Sequence, residues 1–200
     1  MSWLARELYR LGMVRLGRFK LTSGLESPYY IDLRQMYSYP ELIEKLVNEL
    51  LSLINFEEYD VVVGIATSGM VIASFLACKL RKPLSYVRIE KKAHGTQALV
   101  EGNVKGKKCV IIDDVATTGG SIEHAFYSIK EVGGVPLAAM VIVDREQGAK
   151  EKVERLGVKF YSYIKASDIF KYLYEEKLVT EEQYREVLSY ITSFKGSAGK

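Results

Sequence analysis

What this chain lacks narrows it first. Only two cysteines occur in 200 residues, Cys78 and Cys109. They form no CxxC spacing, which excludes a zinc or redox pair of that kind. Both lie in apolar segments and are expected to be buried thiols. No apolar run approaches the roughly 20 residues that span a bilayer. The N-terminal stretch MSWLARELYRLGMV breaks its apolar residues with charge and has no small-residue cleavage motif, so neither a membrane span nor a signal peptide is expected. A reducing cytoplasm is the expected compartment. An excess of one charge is also missing: 28 basic against 25 acidic residues leave +3, too little for a nucleic-acid coat. There is no repeat, low-complexity tract or linker, although the last residues, KGSAGK, read as loose. With 48% hydrophobic residues, the chain suits one domain over 1–200.

What is present has the rhythm of an α/β protein. From about residue 59, β-rich apolar runs alternate with stretches of helical period, which predicts a parallel sheet with helices on its faces. Strands are expected at 59–66, 84–88, 107–113, 137–144 and 158–164, and a helix at 70–80. Ile122, Ala125, Phe126 and Ile129 recur at helical spacing and predict another helix. Gly133 and Gly134, with Pro136 beyond, stop it. Residues 1–58 read as a helix, an irregular or hairpin segment around 18–34, and a helix after Pro40. Two short helices are expected over 167–194.

The most informative stretch is CVIIDDVATTGGSI, Cys109 to Ile122. An apolar strand stops at Asp113 and Asp114, and a loop of small and hydroxylated residues follows. At the carboxyl end of a parallel strand this is ligand-binding ground. Gly119 and Gly120 permit a tight turn and close backbone approach. Amides at the start of the next helix, with hydroxyls from Thr117, Thr118 and Ser121, suit a phosphate monoester. The two carboxylates would repel that phosphate, but they suit a vicinal diol, whose hydroxyls donate to them. Phosphate beside diol describes a ribose 5-phosphate. A Walker loop is excluded, because GNVKGKK (102–108) has the wrong spacing.

VIIDDVATTGGS resembles the phosphoribosyl-diphosphate (PRPP) motif of the type I phosphoribosyltransferases. The resemblance implies that family's fold, a mainly parallel twisted sheet flanked by helices with a small N-terminal hood. Residues 1–58 would form the hood and helical segment, 59–164 the α/β core and 165–200 the C-terminal helices. It also implies that Asp113 and Asp114 hold the ribose hydroxyls while Ala116, Thr117, Thr118, Gly119, Gly120 and Ser121 wrap the 5-phosphate, with Val115 a further PRPP-binding residue.

Two further stretches are similar to the orotate-specific branch of that family: RFKLTSGLESPYYIDLR (18–34) and RIEKKAHG (88–95). By chemistry alone, Arg88, Lys91, Lys92 and His94 form a cationic cluster suited to a departing pyrophosphate. The resemblance implies that Arg88, Lys92 and His94 serve PRPP and that their loop reaches the neighbouring subunit's active site. It implies that Arg145 and Thr117 contact orotate, that backbone groups near Tyr29 and Tyr30 bind the pyrimidine edge, and that Ser23 and Gly24 shape the pocket. Without the resemblance, Arg145 would read as a surface ion pair with Asp144 or Glu146, and the two tyrosines as core aromatics. Asp32 and Arg34 read as a local structural pair. In GIATSGMVIA (64–73), the resemblance implies that the turn at Thr67 and Ser68 holds pyrophosphate oxygens through backbone amides, where members of the family often add a lysine. Ile89 stands where many members of the family carry a second basic residue, and Thr22 where some carry lysine.

The activity implied is Mg²⁺-dependent transfer of ribose 5-phosphate from PRPP to N1 of orotate by a homodimer, in de novo pyrimidine biosynthesis. Mg²⁺ would be held mainly by substrate oxygens and water, without a dedicated protein metal site. Closure of the 91–103 loop should exclude water. The catalytic set that the resemblance implies is Arg88, Lys92, His94 and Asp114. Two alternatives stay open: a phosphoribosyltransferase for another base such as a purine, and a non-catalytic PRPP-binding regulator that contacts nucleic acid.

Overall fold

A computed structural model of the chain describes residues 2–20, 26–89 and 99–195. Helix α1 (Ser2–Arg10) leads into an antiparallel hairpin of β1 (Val14–Lys20) and β2 (Glu26–Ile31), and Pro40 begins helix α2 (Pro40–Leu50). Strand β3 (Val61–Ile65), helix α3 (Ser68–Leu80), strand β4 (Leu84–Val87), the short strand β5 (Val100–Glu101) and strand β6 (Lys108–Ala116) follow. Then come α4 (Gly120–Glu131), β7 (Val135–Asp144), α5 (Ala149–Arg155), β8 (Lys159–Lys165), α6 (Ala166–Glu175) and α7 (Glu181–Lys195).

The main sheet has six strands in the order β5-β4-β3-β6-β7-β8, parallel throughout except that β5 runs antiparallel to β4. Its central strands are apolar because both faces are covered: every residue of β3 is buried, and so are the last seven residues of β7. On one face Val62, Val110, Ile112 and Met140 pack with Ile72 and Leu76 of α3. Leu4, Leu8 and Tyr29 from the N-terminal segment join that same core, as do Phe170 and Leu173 from α6, so the two ends of the chain meet on one side of the sheet. On the other face Val63, Ile111 and Val141 pack against Ile122, Ala125 and Ile129 of α4 and Val153 of α5.

Three details differ from the expectation. Strand β6 runs on to Ala116, so Asp113 and Asp114 lie inside its last turns of pleat rather than beyond its end. Strand β5 and helix α5 were not anticipated. Cys78 is exposed while Cys109 is buried. Helix α3 buries Ile72, Ala73, Leu76 and Ala77, and the 3.6-residue period turns Cys78 outward even though the segment is apolar nearly all round. Among the described residues, no helix is long and apolar enough to cross a membrane.

Candidate active site

The carboxyl edge of the sheet collects the chemistry, one strand at a time. Arg88 follows β4, Thr67 and Ser68 follow β3, Asp113 to Ser121 end β6 and open α4, and Arg145 follows β7. Since β4, β3, β6 and β7 are consecutive neighbours in the sheet, these residues form one line along its edge. Backbone bonds hold it together: the Ala66 amide donates to the Val87 carbonyl over 2.9 Å, and the Arg145 amide to the Ala116 carbonyl over 2.9 Å.

At the centre of the line, Asp113 is buried. Its Oδ1 accepts the Asp114 amide (3.0 Å) and its Oδ2 accepts the Ser121 hydroxyl (2.9 Å), while Asp114 Oδ1 accepts the Val115 amide (2.8 Å). Burial pushes both carboxyl groups above the usual carboxylate range, and for Asp113 the neighbouring Asp114 charge adds to it. Such a pair is stabilised in its ionised form by further donors, which sugar hydroxyls supply.

The loop after β6 turns through Gly119, whose φ of +80° is left-handed and whose absent Cβ would sit 3.2 Å from Ala149 backbone atoms. Helix α4 then starts at Gly120, and its first amides have no partner within the helix. Across the site, the first turn of α3 lies directly on β6. A Cβ on Gly69 would fall 2.4 Å from the Ile112 carbonyl and 3.0 Å from Asp113 Oδ1, so only glycine allows this approach. Tyr37 braces the same turn by donating to the Ser68 carbonyl (3.0 Å), and burial pushes its phenol up to about 12.

Arg145 is buried, and its guanidinium turns away from Asp144 and Glu146 toward the hairpin. Nη2 donates to Ser27 Oγ (3.2 Å) and Nε to Tyr29 Oη (3.4 Å), while the guanidinium lies 4.7 Å from the centre of the Tyr29 ring. Among the described residues no carboxylate pairs with it. Tyr29 is fully buried, with its ring 5.0 Å from that of Phe170, and burial pushes its hydroxyl up. Tyr30 is half-buried and packs on Phe19 at 5.5 Å, under the Arg15 guanidinium. Asp32 and Arg34 form a bidentate pair at 2.8 and 2.6 Å.

At the other end of the line, Arg88 donates to Glu101 Oε1 (3.2 Å) and to the Tyr86 hydroxyl (3.1 Å). A partly exposed ion pair of this kind is worth roughly 0–1 kcal/mol, little enough to be exchanged for an anionic ligand. Lys91, Lys92 and His94, like Ser23 and Gly24, lie outside the described residues. Sequence reasoning passed over Ser27, Tyr37, Gly69, Glu101 and His124. Of these only Gly69 had a visible signal, a second glycine five residues after Gly64 at a strand-to-helix junction.

The chain matches the model of the phosphoribosyl transferase domain over residues 36–171. It is 44% identical to an orotate phosphoribosyltransferase of Staphylothermus marinus over 96% of this chain and 94% of that one. The Sulfolobus acidocaldarius orotate phosphoribosyltransferase is 43% identical over 90% and 91%. The chain belongs to the orotate phosphoribosyltransferase family. Among solved structures in that family, the Aeropyrum pernix orotate phosphoribosyltransferase superposes with a TM-score of 0.78 at 35% identity, over 88% of this chain and 99% of that one. A Leishmania donovani UMP synthase gives a TM-score of 0.84 at 29% identity, over 96% of this chain but only 42% of that longer one.

Proposed function

We propose that the line of residues along the sheet edge carries the orotate phosphoribosyltransferase reaction of de novo pyrimidine biosynthesis, with PRPP and orotate as substrates. The observation that carries the assignment is the adjacency of two unlike sites: an acid pair leading into an amide-rich loop on β6, and a buried arginine without a carboxylate partner among the described residues on the next strand. Asp113 and Asp114 accept the ribose hydroxyls, with Val115 and Ala116 bringing the chain into the loop. The amides and hydroxyls of Thr117, Thr118, Gly119, Gly120 and Ser121 take the 5-phosphate. Arg145 takes the orotate carboxylate bidentately, supported by Thr117 and by backbone groups near Tyr29 and Tyr30. Thr67 and Ser68 offer amides to the pyrophosphate.

The leaving group is already good, so the protein's contribution is positioning and charge stabilisation, without a protein nucleophile. As the bond to pyrophosphate breaks, positive charge develops at the anomeric carbon and the pyrophosphate gains negative charge. Arg88, Lys92 and His94 neutralise the latter. Mg²⁺, held mainly by substrate oxygens and water, would supply further neutralisation of the pyrophosphate.

Residues 1–58, 59–164 and 165–200 act as hood, core and C-terminal helices of one catalytic domain in the cytoplasm. Its working form is a homodimer with active sites shared between subunits. Phe75 on α3, Leu84 at the start of β4 and Ile89 just beyond its end leave 45, 40 and 64% of their surface exposed, apolar area that a second copy would cover. A panel of bases offered with PRPP and Mg²⁺ tests the base assignment. Orotate is consumed and adenine and hypoxanthine are not; the reverse preference would overturn it.

A further inference from the structure

We propose that His124, a residue outside every motif singled out in the sequence, is a positioning residue for Arg88. It deepens the reading above, in which Arg88 neutralises pyrophosphate. Strand β4 ends at Val87, so the Arg88 carbonyl lies past the last residue of the strand ladder. His124 Nε2 lies 3.0 Å from that carbonyl. A carbonyl only accepts, so Nε2 carries the hydrogen and donates. On the other side the Arg88 amide donates to the Leu99 carbonyl over 2.8 Å. The main chain of Arg88 is therefore held from both directions, and its guanidinium is aimed by Tyr86 and Glu101.

The element that supplies His124 gives the contact its meaning. Helix α4 begins with the phosphate loop, and its Ser121 donates to Asp113. His124 sits one turn further along, half-buried, with its own carbonyl accepting the Ser128 hydroxyl over 2.9 Å. One helix thus carries the loop for the 5-phosphate, a hydrogen bond to the acid pair and the fixing point for the arginine at the pyrophosphate end. The separation between the two anionic ends of PRPP is then set by a rigid element rather than by the flexible reach of an arginine side chain.

The test compares His124→Leu, which keeps bulk and removes the donor, with His124→Gln, which carries an amide N–H at about the reach of Nε2. Initial rates and calorimetric PRPP binding with Mg²⁺ are measured for both, alone and in an Arg88→Ala background. His124→Leu should lose about tenfold or more in kcat/KM for PRPP, as small misplacements of a binding group do, with the orotate KM unchanged. His124→Gln should recover most of that loss. In the Arg88→Ala background, His124→Leu should cost less than about twofold, because the two changes act through one group. Should His124→Leu fail to fold, His124→Ala takes its place. Wild-type PRPP kinetics in a folded His124→Leu protein, no recovery with Gln, or losses that multiply in the double variant would each overturn the proposal. A wild-type chain that binds PRPP but ignores orotate would instead overturn the base assignment, and the binding series would still decide the role of His124.

Discussion

The amide of Arg145 donates to the carbonyl of Ala116 across 2.9 Å, which locks the residue after β7 to the last residue of β6. The acid pair lies two and three residues before that carbonyl, and Thr117 to Ser121 of the loop follow it directly. The residues proposed to take the sugar-phosphate donor and those proposed to take the acceptor base are thus brought together by the sheet's own hydrogen bonds. No loop has to close for these two parts of the site to be adjacent.

Arg145 supplies the first prediction. Arg145→Ala should raise the KM for orotate well over tenfold, the loss of about 2 kcal/mol or more expected when a buried charge-assisted pair loses one partner. Arg145→Lys should rescue little of it, because an ammonium cannot reproduce the planar fork that Ser27 and Tyr29 now aim. Affinity for PRPP should change far less in both variants, and steady-state kinetics with each substrate varied in turn will show whether it does.

Asp113 makes the site costly to the fold, and the pH dependence gives the sign. Its carboxyl is pushed up by burial and by Asp114, so between about pH 4 and about pH 8 the folded state holds a proton that the unfolded chain has released. Stability therefore falls as pH rises through that window. Asp113→Asn removes the titrating group, so its Tm should match wild type at the acid end and exceed it increasingly toward the alkaline end. PRPP binding should be lost at every pH. A Tm difference that shrinks as pH rises would refute this assignment of the buried charge.

Two glycines separate fold from function. Gly69→Ala would drive a Cβ into the Ile112 carbonyl and push α3 off β6, an overpacking cost of about 1–3 kcal/mol or more that thermal unfolding will register. Around Gly120 the nearest atom to an added Cβ is Thr118 Oγ1 at 3.9 Å. Gly120→Ala should leave the Tm equal or higher, since alanine is about 1 kcal/mol better in a helix. It should nonetheless weaken PRPP binding, by crowding the phosphate against the loop.

Much of this was legible in the sequence because it rests on patterns that the backbone obeys. The alternation of apolar runs with helical periods marked the parallel strands, and DDVATTGGS marked the phosphoribosyltransferase family. The misses have physical causes. Strand β5 has two residues, too few for a period to show. Adjacent acids read as the end of a strand, yet β6 carries them inside its pleat because α3 and the Ser121 hydroxyl cover Asp113. Helix α5 is seven residues long and rich in charge, and its buried face amounts to Ala149 and Val153. Cys78 shows that an apolar segment does not say which of its residues faces out. Tyr29 is a core aromatic as well as a neighbour of the site, a dual position that only the fold reveals, as with the hydrogen bond from His124.

The proposed sharing of the active site between subunits makes a further prediction. Lys92→Ala should cut the rate sharply with little change in Tm. Mixed dimers of Lys92→Ala and Asp114→Asn subunits should regain one working site, since the intact loop of one subunit then meets the intact acid pair of the other. Mixed dimers as inactive as either parent would place the loop and the acid pair on the same chain.

The most direct test of the central claim is the reaction itself. Purified wild-type chain is incubated with orotate, PRPP and Mg²⁺ while orotate loss and pyrophosphate release are followed together. Orotate should disappear and pyrophosphate appear mole for mole, with orotidine 5′-monophosphate as the product. A folded dimer that binds PRPP and leaves orotate untouched would contradict the account.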